Sequence, residues 1–179
     1  MLRVRRARVK VRGPPRGVIE RCTIGGDTRT LHGTEDHHTM ATRDEIADAL
    51  AGMALFADLA TPQLMGVASQ FEEAFFPQGA KVLRQGISGS AFYVILDGEA
   101  AVVVDGEQRA TLGRGEFFGE VSILLGEPPT ADVIATRPLR CVVLAGSAIE
   151  PFLVEHPKVM FRMLQAQARR LRNANRLRS

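Results

Sequence analysis

The middle of the chain is a series of short β-prone runs separated by turn residues, and this pattern limits the possible folds more than any other feature. Two Asp-Gly pairs, Asp97-Gly98 and Asp105-Gly106, each lie between two such runs. Asp-Gly is a strong hairpin signal, because both turn positions tolerate positive φ. Runs that recur every ~8 to 12 residues with turns between them are typical of a barrel or a sandwich. The predicted strands are Phe75-Phe76, Lys81–Leu83, Ala91–Leu96, Ala100–Val104, Arg109–Leu112, Val133–Ala135 and Val142–Leu144.

Two short helices are predicted ahead of the strands. Thr42 and Glu45 have the spacing of a capping box, and apolar residues then recur at helical intervals, which predicts a first helix over about residues 43–52. Thr61-Pro62 supplies a cap and a first-turn proline for a second helix, whose last apolar residue is Phe71. We expect both helices to pack against the element that follows them.

Two further helices are predicted after the barrel, which we place at about residues 73–146. Ser147 and Glu150 again have capping-box spacing and predict a short helix that ends at Glu155. Pro157 separates this helix from a final amphipathic helix, so that the C-terminal helices cover residues 147–178. One stripe of the final helix is apolar, and it has two open interpretations: packing on the chain's own barrel, or association with a second helix. The stripe contains Met160, Leu164, Leu171 and Ala174, with Arg162, Arg169, Arg170, Arg172 and Arg176 around it.

Charge is distributed unevenly along the chain. Residues 1–40 carry nine Lys/Arg and four Asp/Glu, and residues 157–179 carry seven Lys/Arg and no acid, although the net charge of the whole chain is only +3. We interpret residues 1–40 as a disordered basic extension and residues 41–179 as the folded domain. No aromatic residue accompanies the basic arm, so binding of nucleic acid is not expected. Met40 resembles an ordinary protein start, which raises the hypothesis that residues 1–39 lie outside the native product.

The residue inventory disfavours several classes of protein. No apolar run approaches the roughly 18 residues of a membrane span, and the N-terminus lacks the apolar stretch of a secretion signal, which predicts a soluble, cytoplasmic protein. All four histidines lie outside the predicted strands, so a metal-dependent barrel enzyme is not expected. Cys22 and Cys141 stand in unrelated segments, and the apolar neighbours of Cys141 predict a buried thiol. No nucleophile–base motif is present, and we expect a non-enzymatic protein without a metal or cofactor.

Two glycine-containing stretches carry the most specific signal. They are QGISGSAFYVILDGE from Gln85 to Glu99 and LGRGEFFGEVSIL from Leu112 to Leu124. Both resemble the cyclic-nucleotide-binding domain family, which includes catabolite-type regulators, kinase regulatory subunits and gated channels, and the resemblance covers about residues 54–165. It implies a mainly β fold, a double-stranded β-helix or jelly-roll barrel with N-terminal helices and a long C-terminal helix. Because the chain stops at Ser179, we expect an effector domain without the DNA-binding domain of full-length regulators.

The resemblance also implies where a ligand would bind. Gly119 would allow close backbone approach, and the amides that follow it would open a short helix whose N-terminus favours an anion. Glu120 would accept hydrogen bonds from a ribose hydroxyl, and the hydroxyl of Thr130 would reach a phosphate oxygen. Without the resemblance, Glu120 is explained equally well as a first-turn acid that stabilises the helix dipole. The candidate ligand-binding residues are Gly119, Glu120, Val121, Ser122, Thr130 and Ala131.

One position departs from the family pattern. Where the family has Pro-Arg followed by a small residue, this chain has Pro128-Pro129-Thr130, so Pro129 occupies the position of the phosphate-pairing arginine. Proline offers neither a charge nor an amide donor. Loss of one partner from a buried charge pair costs about 2 to 5 kcal/mol. No substitute is identified among the arginines in or near the barrel, which are Arg84, Arg109, Arg114 and Arg137.

Two functions follow, and the sequence does not separate them. In the first, the chain is a non-enzymatic regulator that binds cAMP or cGMP and relays binding through the C-terminal helix. In the second, it is a degenerate domain that no longer binds nucleotide and acts as a protein-interaction or homodimerisation module through that helix. A third, less favoured interpretation has the basic ends bind nucleic acid or an anionic membrane, and such binding would depend on salt.

Overall fold

The computed structural model describes residues 42–87 and 91–176. The basic extension predicted for residues 1–40 lies outside the described residues. The described part of the chain forms five helices, none of them long and apolar enough to cross a membrane, and eight strands. The helices are α1 (Arg43–Ala51), α2 (Thr61–Ala68), α3 (Glu120–Leu125), α4 (Gly146–Glu155) and α5 (Pro157–Arg176). The strands are β1 (Glu72–Phe76), β2 (Lys81–Leu83), β3 (Ala91–Asp97), β4 (Ala100–Val104), β5 (Glu107–Leu112), β6 (Phe117–Phe118), β7 (Asp132–Ala135) and β8 (Leu139–Ala145).

The strands form two four-stranded antiparallel sheets, with the orders β1-β8-β3-β6 and β2-β7-β4-β5. This arrangement is a jelly roll flanked by helices, as the resemblance implies. A buried cluster with residues from both sheets includes Ile95, Phe118 and Cys141. Cys141 is fully buried as predicted, and burial raises the pKa of its thiol to about 12.

The two Asp-Gly turns have different roles. Asp105 and Gly106 have φ values of 52° and 83° and join β4 to β5 as an antiparallel pair, so this hairpin prediction is confirmed. The hairpin predicted at Asp97-Gly98 is wrong, because β3 pairs with β6 and β8 whereas β4 pairs with β5 and β7. This turn instead carries the chain from one sheet to the other. Gly98 has a φ of 92°, and a Cβ there would lie 2.1 Å from the carbonyl oxygen of Pro138, so the crossing itself requires glycine.

The N-terminal helices begin close to their predicted positions. At α1 the N–H of Glu45 donates to Oγ1 of Thr42 at 3.3 Å and the N–H of Thr42 donates to Oε2 of Glu45 at 2.7 Å, which confirms the capping box. At α2 the predicted cap is wrong by one residue. Ala60 is the N-cap, its N–H donates to Oε1 of Gln63 at 3.0 Å, and Thr61 already belongs to the helix.

The cap predicted for α4 is also wrong. β8 ends at Ala145 and α4 begins at Gly146, so no residue separates the strand from the helix. Ala145 is the N-cap, with φ −58° and ψ 140° and no side-chain cap hydrogen bond. Ser147 therefore lies inside the first turn, where its hydroxyl cannot serve as the cap.

The helices share a core with the first sheet, centred on Phe71. The ring of Phe71 lies between 5.6 and 6.4 Å, centroid to centroid, from the rings of Phe56, Phe92 and Phe152. These residues come from the segment between α1 and α2, from β3 and from α4. Aromatic packing at these distances adds to the burial of apolar area. It connects the N-terminal and C-terminal helices to the strand that also supports α3.

Candidate ligand site

The segment that the resemblance implies as the site follows β6. Gly119 is the N-cap of α3 and has a φ of 88°. A Cβ at Gly119 would lie 2.2 Å from the carbonyl oxygen of Ala91, so packing against β3 requires glycine here. The hydroxyl of Ser122 donates to the carbonyl oxygen of Gly119 at 3.0 Å. The structure thus shows close approach of Gly119 to a neighbouring strand, and close approach to a ligand stays a prediction.

Glu120, the first residue of α3, is only 1% exposed. Its Oε1 accepts hydrogen bonds from Nε2 of Gln167 and from Nη1 of Arg170, the latter at 3.0 Å. Its Oε2 is buried and has no hydrogen-bond partner among the described residues. Burial raises the pKa of this carboxyl, and the charge of Arg170 opposes the rise. Glu120 is therefore a buried acceptor with one oxygen satisfied and the other unused.

Arg170 attaches the C-terminal half of α5 to the same segment. In addition to its bond with Glu120, its Nη2 donates to the carbonyl oxygen of Phe117 at 2.6 Å. Its guanidinium carbon lies 4.5 Å from the centroid of the Phe117 ring, which is cation–π geometry. Charge-assisted hydrogen bonds of this kind are among the stronger contacts that a side chain makes.

The face of α5 that packs on the domain is not the predicted apolar stripe. Val159 and Met163 are buried, and Arg170 continues the same face. Packing of the predicted stripe on the chain's own barrel is therefore wrong. Helical spacing places Gln167 and Arg170 on the same side of α5 as Val159 and Met163, but it does not indicate that this side meets the domain. The exposed residues of the predicted stripe are Met160, Leu164, Leu171 and Ala174.

The predicted site residues lie around one cavity of about 1070 Å³ between the barrel and the C-terminal half of α5. Pro129 lines it as well, as do Arg170 and Asn173 from α5. Part of its barrel wall is aliphatic, with Leu83 and Val133 among the lining residues. Binding of a ligand by these residues stays a prediction. The residues that the structure brings together here are Gly119, Glu120, Val121, Ser122, Thr130 and Ala131.

The arginines of the barrel do not replace the phosphate-pairing arginine whose position Pro129 occupies. Arg109 lines the cavity, but its Nη2 lies 2.7 Å from Oε2 of Glu107. Pro129 is buried, and its carbonyl oxygen accepts a hydrogen bond from the N–H of Gly86 at 2.8 Å. The three other arginines in or near the barrel lie outside the lining, and they are Arg84, Arg114 and Arg137.

Comparisons with known proteins agree with this architecture. The family model described as "Cyclic nucleotide-binding domain" matches residues 73–156. The cGMP-dependent protein kinase egl-4 of Caenorhabditis briggsae is 33% identical over 105 residues. That match covers 55% of this chain and 14% of the kinase, so the chain spans a small part of this relative.

Solved structures give the same result. The catabolite activator protein of Thermus thermophilus is 30% identical, with a TM-score of 0.61, and the match covers 68% of this chain and 60% of that one. A cyclic nucleotide-binding domain from Methylobacillus flagellatus KT is 27% identical, with a TM-score of 0.62, over 73% of this chain and 79% of that one. Residues 73–156 therefore match the cyclic nucleotide-binding domain family, and the fold is similar to that of the catabolite activator protein of Thermus thermophilus.

Proposed function

We propose that this chain is a non-enzymatic regulatory protein, in which a nucleotide-type ligand in the cavity is sensed by Glu120 and relayed to α5. The proposal rests on one observation: the two carboxylate oxygens of Glu120 differ in their hydrogen bonding. Oε1 is held by Gln167 and Arg170 of α5, whereas Oε2 has no partner among the described residues. A ligand hydroxyl that donates to Oε2 would leave the bonds to α5 in place, and Glu120 would then connect the ligand to the helix.

The energetics favour such a connection. A buried polar atom without a hydrogen bond costs free energy, so a donor that reaches Oε2 would remove that cost. Because the same carboxylate holds Arg170, ligand binding and docking of the end of α5 would stabilise each other. That coupling is reciprocal: docking of the helix raises the ligand affinity by the same factor by which the bound ligand raises the docking equilibrium of the helix.

Calorimetry with cAMP and cGMP tests the binding half of the proposal, since cyclic nucleotides are the ligands after which the family is named. Hydrogen exchange of the backbone amides of residues 166–176 tests the relay half. We expect binding heat and slower exchange in the liganded protein. Arg170→Gln should abolish the change in exchange, while the neighbouring exposed Arg169→Gln keeps it. An exchange pattern unaffected by a bound ligand would contradict the relay.

A second candidate function, a homodimerisation module, is favoured by a different observation. Four residues of α5 that we call the exposed stripe, Phe161, Leu164, Ala168 and Leu171, alternate at spacings of three and four, as the core positions of a coiled coil do. The exposed fractions of Phe161, Leu164 and Leu171 are 57%, 64% and 63%. Sedimentation of the full chain over a range of concentrations measures this association. A chain that stays monomeric at high micromolar concentration would exclude it.

A further inference from the structure

We infer that the ligand this cavity takes is a neutral ribonucleoside, which it prefers to a cyclic nucleotide. The inference rests on the proposed function, because it concerns the same cavity and the same carboxylate. It follows from the charges and hydrogen-bonding groups that surround the site.

The charges that line the cavity do not suit an anion. Three acids and two arginines line it, so the lining carries a net negative charge when all five are ionised. Both arginines already face carboxylates, Arg109 that of Glu107 at 2.7 Å and Arg170 that of Glu120 at 3.0 Å. A phosphodiester would have to compete with these carboxylates for the arginines, and its charge would add to the net negative charge of the lining. The charged residues of the lining are Asp105, Glu116, Glu120, Arg109 and Arg170.

The side-chain donors at the phosphate position are missing, engaged or uncharged. Pro129 has no N–H, and its carbonyl oxygen is an acceptor already bonded to Gly86. The hydroxyl of Ser122 donates back to Gly119, and α3 has only six residues, which limits its dipole. The hydroxyl of Thr130, an exposed residue, is a neutral donor that does not offset a full charge.

The same surroundings suit a sugar and a base. Hydroxyl groups donate to Oε2 of Glu120 without adding charge to a buried site, and a ribose presents two of them side by side. The aliphatic wall that includes Leu83 and Val133 can cover the face of a base. Asn173 lines the cavity from α5, and its amide both donates and accepts, as recognition of a base edge requires. A ribonucleoside supplies each of these groups and leaves out the phosphate.

Calorimetry of the full chain with adenosine, guanosine, 2′-deoxyadenosine, cAMP and cGMP tests the inference. We expect a ribonucleoside to bind at least about tenfold more tightly than its cyclic nucleotide and than its 2′-deoxy form, since each competitor leaves a buried group unpaired or adds a repelled charge. Glu120→Gln should remove the preference for the ribonucleoside over its 2′-deoxy form. Pro129→Arg should raise the affinity for cyclic nucleotides by about thirtyfold or more and change that for nucleosides by less than about threefold.

The outcomes separate the inference from the proposed function. If cAMP or cGMP binds the unaltered chain more tightly than either ribonucleoside, the inference is overturned and the proposed function stands. If the unaltered chain gives no heat with any of the five compounds at millimolar concentration, both fall. Binding of cyclic nucleotides by Pro129→Arg in that case would show that the cavity is intact but lacks a ligand of this class. Circular dichroism and thermal unfolding confirm that each variant is folded before its binding is compared.

Discussion

Nη1 of Arg170 lies 3.0 Å from Oε1 of Glu120, although fifty residues of sequence separate the two. The arginine side chain is 33% exposed and the glutamate 1% exposed, so the pair sits at the boundary between solvent and core. One partner comes from the end of the longest helix and the other from the start of the shortest. This pair makes the C-terminal helix part of the candidate site.

Replacing Arg170 should destabilise the protein through Glu120. In Arg170→Gln the buried carboxylate keeps Gln167 as a partner but loses its opposite charge. We expect the free energy of unfolding to fall by about 1 to 3 kcal/mol, and the melting temperature to fall by about 2 to 4 °C per kcal/mol. Arg169→Gln, at the exposed neighbouring position, should stay within about 0.5 kcal/mol of the unaltered chain. Equal melting temperatures for the two variants would show that the pair contributes nothing.

The raised pKa of Glu120 predicts a pH dependence of stability. The folded chain holds this proton more tightly than the unfolded chain does, so the stability linked to it is present below the ordinary value of 4.5 and is lost as the pH rises through the folded pKa. The Glu120→Gln variant lacks this titrating carboxyl and serves as the reference. The melting temperature of the unaltered chain, relative to that of Glu120→Gln, should therefore fall as the pH rises above 4.5. A difference that grows with pH would mean that the Arg170 pair outweighs burial.

Asp58 should hold the beginning of α5 in place. Nε and Nη2 of Arg162 lie 2.6 and 2.9 Å from its two carboxylate oxygens, and these hydrogen bonds lower its pKa below the ordinary value of 3.8. The stability that the Asp58–Arg162 pair contributes is thus present above pH 3.8, and it is lost as the pH falls through the pKa of Asp58 in the folded chain. Asp58→Asn should speed hydrogen exchange in the first turns of α5 at neutral pH. The exposed Asp48→Asn serves as the control, and identical exchange in both variants would count against the anchor.

Gly119→Ala separates backbone strain from steric clash when it is compared with Gly79→Ala. The two glycines have φ values of 88° and 84°, but a Cβ meets the Ala91 carbonyl oxygen at 2.2 Å in one case and open space in the other. Both variants should lose about 1 to 2 kcal/mol to the left-handed backbone. Gly119→Ala should lose at least about 2 kcal/mol more, because packed backbone must move. Denaturant titration measures both, and equal losses would refute the role assigned to the contact with β3.

A single charge should disrupt association through the exposed stripe. Leu171→Asp places a carboxylate at a core position of the proposed coiled coil, where it would be buried against its own copy. Val154→Asp alters a residue of α4 that is 72% exposed and lies outside the stripe. In sedimentation experiments, Leu171→Asp should sediment as a monomer at concentrations where the unaltered chain and Val154→Asp are dimeric. Dimers of Leu171→Asp would place the interface elsewhere.

Much of the fold could be predicted because its signals are local. The capping box of Thr42 and Glu45 and the turn of Asp105-Gly106 depend on residues within a few positions of one another, and both formed as expected. The position of Glu120 followed from the glycine motif. Local chemistry could not determine the role of Asp97-Gly98, because the choice between a hairpin and a crossing depends on which strands pair far away in the sequence.

The contacts of α5 were missed for a related reason. Two sides of this helix are apolar over part of its length, one with Val159 and Met163 and the other with Leu164 and Leu171. Periodicity shows that each side exists but not which one meets the domain. The choice depends on the Arg170 contact with Glu120, which no spacing rule connects to the helix.

In addition to the burial of Val159 and Met163, two ion pairs hold helix α5, one from Arg162 to Asp58 and one from Arg170 to Glu120. The two arginines are eight positions apart in the sequence, which is about 12 Å along the helix axis. A helix held at one point can pivot about that point, whereas a helix held at two points keeps its orientation. If a ligand on Oε2 tightens the second attachment, it also fixes the direction in which Leu164 and Leu171 face a partner. A small molecule bound beside Leu171, at one end of the stripe, would then set how precisely two copies of the chain can align.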